Sequence, residues 1–247
     1  MQTKIPQTSA VMSALLRADF TTLWRNRRSL RLVLLVPVVI VISWKGMVNM
    51  MGGAYVLSGG ITIGLISIGL LGYTNSIARD RDKGVFQRLR VGPVAAWTIM
   101  CSRILVQLAT IMAMTIAIFA VGNVVDKIAL PPLGYVTGFF AAVLGGALYL
   151  SLGQLIVGLI KNPETVNSTT RLVYFIFIMV GMLGNFGVLG DVVKEMVQWS
   201  PYGVVNRVIA TALQPETWDL HATYALLATL GYTAVFGVLG IRFFKWN

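Results

Sequence analysis

The sequence predicts an all-α polytopic membrane protein, with six transmembrane helices, an N-terminal amphipathic interfacial helix and a re-entrant helical segment before the last span. Three observations carry that prediction. Of 247 residues, 56% are hydrophobic and 12% charged, with a mean hydropathy of +0.77, a balance suited to lipid rather than water. The charge-free runs 104–125, 128–160, 172–190 and 222–241 each hold the roughly 20 apolar residues that one helical span needs, and the run 46–78 is too long for one. Finally, among the 20 Lys and Arg only Lys45, Lys127, Lys194 and Arg207 fall on the second predicted side. This positive-inside asymmetry places both termini in the cytoplasm and the chain in the plasma membrane, as a single transmembrane domain over 1–247. It also assigns the net charge of +11 to topology and anionic headgroups, not to nucleic acid.

The first element expected is an interfacial helix at 10–28. Met12, Leu16, Phe20 and Leu23 share one face, with Arg17, Thr21, Arg25 and Arg28 opposite. Asp19 falls close to the apolar face. The first 31 residues are polar and basic, unlike the apolar core of a cleavable signal. The first span is expected at 32–51, with Trp44 at the far interface and Lys45 snorkelling beside it. A turn near Met51-Gly52-Gly53 leads into the second span, 54–78.

The most charged tract follows, from Ala78 through Gly92-Pro93. Val85, Phe86 and Leu89 are spaced to form an apolar ridge on a short helix that Gly92-Pro93 ends. Such a loop docks into a groove on another protein, or it is an ordinary basic cytoplasmic loop.

The third span is expected at 97–122 and an outer turn at 126–132. The fourth, 132–160, carries Gly145, Gly146, Ser151, Gly153 and Gly158, small residues that let helices approach closely. The turn Lys161-Asn162-Pro163-Glu164-Thr165 precedes the fifth span, 171–190, and this topology puts the Asn167 sequon on the wrong side for glycosylation.

Residues 191–214 are apolar but interrupted by Asp191, Lys194, Glu195 and Arg207, and broken by Ser200-Pro201. A seventh crossing would move Arg242 and Lys245 outside, so this segment is either a pair of helices that dips into the outer leaflet and returns or an amphipathic helix lying on the outer surface. The last span, 221–241, ends in an aromatic and basic anchor, Arg242-Phe243-Phe244-Lys245-Trp246.

Catalytic parts are missing. No Lys is followed by Ser or Thr, which excludes a Gly-x-x-x-x-Gly-Lys-Ser/Thr phosphate loop. The single His221 and single Cys101 offer neither a soft-metal cluster nor a disulfide. Asp80 and Asp82, bracketed by Arg79, Arg81 and Lys83, read as an ion-paired surface. The spans are nearly free of ionisable residues, unlike those of ion-coupled carriers, so the energy for any transport is expected from another subunit and the cargo to be apolar or amphipathic. Met47, Phe175, Met179, Met182, Asn185 and Phe186 offer soft and aromatic walls, either for that cargo or for helix packing.

This arrangement resembles the permease subunit of a type-2 ABC exporter, in the group that includes daunorubicin-resistance-like drug and natural-product exporters. The resemblance covers almost the whole chain. Its most specific piece is the charged tract Arg79-Asp80-Arg81-Asp82-Lys83-Gly84, followed by the apolar-basic Val85-Phe86-Gln87-Arg88-Leu89-Arg90 and Gly92-Pro93, with Gln87 where the family commonly has Glu. Trp199-Ser200-Pro201-Tyr202 is similar to the family's break between two re-entrant helices.

The resemblance implies a coupling helix docked on a separate ABC ATP-binding subunit, present in two copies. The expected contacts are Arg79, Asp80, Arg81, Asp82, Lys83, Val85, Phe86, Arg88, Leu89 and Arg90, with Glu164 in a second contact. ATP and magnesium belong to that partner, and no cofactor to this chain. A second permease chain, making a homodimer, would enclose a path along spans one, two and five. The expected function is ATP-driven efflux of a hydrophobic or amphipathic small molecule. A lipid-linked glycan is the alternative cargo, and a non-transporting scaffold or sensor that recruits a soluble partner is the alternative of another class.

Overall fold

The computed structural model describes the backbone of residues 8–25, 27–91 and 96–244; the side chains of 27–32, 90, 91, 96 and 185 lie outside the described residues. Every regular element among the described residues is helical. Five helices are long and apolar enough to cross a membrane, or six when one bent pair counts as a single span. The all-α polytopic class is therefore the observed one.

α1 (Thr8–Arg25) precedes α2 (Arg27–Ser43), which carries Pro37 inside it. A bend of 48° near Trp44 separates Val33–Ser43 from the short Lys45–Met51 helix, the pair expected to form the first span. Gly52, with φ +85°, makes the next turn in a backbone region that side chains disfavour.

α3 (Gly53–Asp82) is the centre of the molecule. Its span is 89% buried, against 17% for α7 (Pro163–Met182) and for α10 (Leu220–Phe243). Glycines permit this central position, since a Cβ on Gly69 would lie 2.7 Å from the Tyr149 Cβ of α6 (Pro132–Leu159). α3 does not stop at residue 78. It continues to Asp82, so Arg79–Asp82 form the last helical turn of the span rather than a loop. Gly84, at φ +67°, then reverses the chain into α4 (Val85–Val91).

α5 (Ala96–Val124) and α6 return across the molecule. The helix of the fifth span begins at Pro163 rather than at Arg171. Its start is set by Asn162, whose side chain accepts hydrogen bonds from the Glu164 and Thr165 amides (2.8 and 3.2 Å), and by Pro163 in the first turn.

α8 (Asp191–Trp199) and α9 (Pro201–Leu213) form a hairpin inserted beside α6. The Tyr149 hydroxyl donates to the Pro201 carbonyl (3.1 Å) at the tip of the hairpin. Tyr149 lies about 26 Å along α6 from Pro132, at about 1.5 Å per residue. α9 then climbs back, and the Thr137 hydroxyl donates to the Ala212 carbonyl near the first turn of α6. α9 therefore runs from the middle of α6 back toward its first turn.

Ser200 makes the sharp turn possible. Its hydroxyl donates to the Val197 carbonyl (2.6 Å) and accepts from the Gly203 amide (3.3 Å), while Pro201 takes the first helical position. Tyr232 of α10 donates to the Trp199 carbonyl (2.9 Å), so this deep break leaves few backbone groups unsatisfied.

Candidate functional site

Two features gather at the end of the molecule that carries the charged tract. The first is a platform made of the last turn of α3, α4 and the Lys161–Thr165 turn. Arg81 builds it. Its guanidinium donates to the carbonyls of Val157 (2.7 Å), Ile160 (2.6 Å) and Lys161 (2.8 Å), closing the C-terminal end of α6. A cation is favoured there because those carbonyls lack intrahelical partners and carry the negative end of the helix dipole.

Phe86 is fully buried and meets Phe244 edge to face, with centroids 5.9 Å apart, while Leu89 packs against the core. The tract is thus pinned to α6 by one side chain and to the C-terminal end of α10 by another. Arg81, 7% exposed, and Phe86, 0% exposed, were expected to touch a partner; the chain itself consumes them, because one satisfies helix carbonyls and the other fills an apolar gap. Arg79, Asp82, Lys83, Arg88 and Glu164 remain exposed, and Asp80, Val85 and Leu89 are half-buried. The Arg90 side chain lies outside the described residues.

The platform also reaches α1. Arg103 of α5 pairs with Asp80 (2.7 Å) and Asp19 (3.1 Å), and the Ser102 hydroxyl donates to Asp19 (2.6 Å). Burial holds the Asp19 carboxyl above its ordinary range, against the opposing pull of Ser102 and Arg103. The Asp19 that interrupts the apolar face of α1 is therefore the residue that fastens this helix to the platform. A carboxylate at that position was the available signal, and its partner Arg103 was not identified from sequence. A cavity of about 300 Å³ lies beside this cluster, lined by Asp19, Asp80, Arg79, Lys83 and Arg103 among others.

The second feature is a cavity of about 390 Å³ between α2, α3 and α7, lined by Val33, Val36, Ser67, Leu71, Asn75, Arg79, Asn167, Arg171 and Tyr174. Both α3 and α7 have wide π-helical turns, at Ser67–Thr74 and Phe177–Met182. Such turns are frequent where a helix serves a site. The Ser67 hydroxyl donates to the Ile63 carbonyl (3.0 Å) and is hydrogen-bonded to the Tyr174 hydroxyl at 3.3 Å, joining α3 to α7 across the cavity.

None of the residues expected to wall a path lines this cavity. Phe175 points outward at 59% exposure. Met47, Met179, Met182 and Phe186 are half-buried nearer the opposite end, where Phe186 packs on Trp44 and Tyr55 with centroids 6.3 and 6.1 Å away. The Asn185 side chain lies outside the described residues. Apolar and aromatic composition selected these residues, whereas six of the nine residues that line the cavity are polar or charged, set among apolar wall. Ser67, Asn75 and Tyr174 stand in or beside charge-free runs, and that was the signal to follow.

Among the described residues no cluster of His, Cys, Asp and Glu could hold a metal ion. Residues 28–242 match the profile of a family described as ABC-2 family transporter protein. A stretch of 126 residues is 25% identical to the Bacillus subtilis (strain 168) protein named "Putative transport permease YvfS", covering 51% of this chain and 51% of that one. The chain thus matches about half the length of this curated relative.

Proposed function

The chain belongs to the ABC-2 transporter family and is a multi-pass transport permease, and from that premise we propose that it is the membrane subunit of an ATP-driven exporter of the daunorubicin-resistance-like type. Two copies form the passage, and two copies of a separate ATP-binding subunit drive it with ATP and magnesium. The assembly resides in the plasma membrane, with both termini in the cytoplasm, and its cargo is hydrophobic or amphipathic. The α8–α9 hairpin is a re-entrant segment that dips from the outer side.

The observation that carries this reading is the platform. Its exposed face presents Arg79, Asp82, Lys83, Arg88 and Glu164, while Arg81, Phe86 and Arg103 tie its inner face to α6, α10, α5 and α1. A force applied to α4 therefore reaches four helices through hydrogen-bonded, ion-paired or closely packed side chains. The same sequence has no phosphate-binding lysine loop, which fits a force supplied by a separate subunit.

The test is co-purification with the ATP-binding subunit. Charge reversal at exposed Arg88 (Arg88→Glu) is expected to reduce recovery of that subunit by about fivefold, the effect of about 1 kcal/mol at an interfacial charge. Membrane insertion should be unchanged. Undiminished recovery would remove α4 from the interface.

A further inference from the structure

The two cavities at the platform end differ in their charge balance. The 300 Å³ cavity carries Asp19 and Asp80 beside its cations, and Arg103 is paired to both. The 390 Å³ cavity has Arg79 and Arg171 in its wall and no acidic residue. Neither arginine has an ion-pair partner among the described residues, and both are exposed.

A second feature points the same way. Asn75, 8% exposed, donates its amide to the Leu71 carbonyl (3.0 Å), and its carbonyl oxygen is buried with no hydrogen-bond partner. A buried acceptor without a donor is costly, and such exceptions concentrate where a ligand completes the bonding. Val33, Val36 and Leu71 supply apolar wall. Ser67 and Arg79 lie twelve positions apart on α3. The lining thus grades from a basic mouth, past an empty acceptor, to an apolar and hydroxyl-lined interior.

We propose that this cavity is the intake site for an amphipathic cargo whose headgroup is anionic and carries a hydroxyl donor. Arg79 and Arg171 receive the anion, Asn75 accepts from the hydroxyl, and the acyl or alkyl portion lies along Val33, Val36 and Leu71. The inference rests on the exporter reading and narrows its cargo. Arginine is suited to phosphate and carboxylate because its planar donor set matches those anions.

The test titrates the full chain in phosphatidylcholine nanodiscs with three single-chain probes of equal chain length, lauroyl-lysophosphatidylglycerol, laurate and dodecyltrimethylammonium. The lysophospholipid is expected to bind most tightly and the cation about tenfold or more weakly, a difference of about 1.4 kcal/mol. Arg79→Gln with Arg171→Gln should abolish the preference for anions, and Asn75→Ala should bring the lysophospholipid down to the affinity of laurate. Where a variant fails to fold, the ranking of probes on the unaltered protein decides alone.

Equal affinity for anionic and cationic probes overturns the proposal. So does full displacement of the lysophospholipid by two-chain phosphatidylglycerol in the disc, which assigns the cavity to a resident lipid. Because the titration needs neither ATP nor a partner, its failure leaves the exporter reading intact. Retained binding with no ATP-dependent transport in the reconstituted complex would do the reverse.

Discussion

Arg81 shows how one side chain can look like a surface group and act as an internal fastener. Replacing it with Ala leaves the Val157, Ile160 and Lys161 carbonyls without their donor, and is expected to cost about 2–3 kcal/mol, in the range for hydrogen bonds to a charged group. Thermal unfolding of the purified protein in detergent measures this. Arg81→Lys should recover only part of the loss, because an ammonium cannot reproduce the guanidinium fork. Sequence showed an alternation of Arg and Asp but not which arginine turns inward, since that depends on where the end of α6 arrives. Asp219 makes a separate pH-dependent prediction. The Ala222 amide, which donates to it at 2.7 Å, and secondarily the Arg207 guanidinium hold its carboxyl below the ordinary value of 3.8. A lowered carboxyl pKa contributes stability above the ordinary value and loses it as pH falls through the folded one. Asp219→Ala should therefore be less stable than the parent at neutral pH, and the two unfolding curves should converge in strong acid.

At the level of elements, the α8–α9 hairpin depends on polar contacts inside an apolar setting. The Asn206 amide of α9 donates to the Ser58 and Thr62 hydroxyls of α3 at 3.3 and 3.5 Å. Asn206→Ala should destabilise the protein by about 1 kcal/mol, the scale of interhelical hydrogen bonds in membrane proteins. Denaturant titration of the detergent-solubilised protein would show it, and an unchanged midpoint would mean that shape alone seats the hairpin. The break within this element was legible beforehand, because Ser200-Pro201 interrupts the apolar run of 191–214. The continuation of α3 through Asp82 was not legible. Charged residues usually mark the end of a span, yet here the α-helix continues because Arg81 finds carbonyl partners and Asp80 finds Arg103. The π-helical turns of α3 and α7 also leave no periodic signature in a uniformly apolar run, so the cavity beside them could not be read from hydropathy.

For the whole molecule, the distribution of basic residues and the helix order make one topological prediction. In a Cys101→Ser background, cysteines at exposed Lys194 and Gln214 are expected to react with an impermeant maleimide added outside, while one at Arg88 reacts only after permeabilisation. Labelling on the opposite sides would invert the assembly and place α4 away from any cytoplasmic ATPase. The central burial of α3 has a further consequence, for the order in which the chain is made. α6 begins about 50 residues after α3 ends, a delay of roughly 2–10 s at 5–20 residues per second, and α9 emerges later still. During that interval α3 must reside in lipid without the neighbours that later enclose it. Its hydroxyls are prepared for the wait: Ser58, Thr62, Ser67 and Thr74 donate to the carbonyls of Tyr55, Ser58, Ile63 and Gly69 on the same helix. The helix that ends most enclosed is thus one in which these four hydroxyls already have acceptors on their own backbone when it stands alone during synthesis.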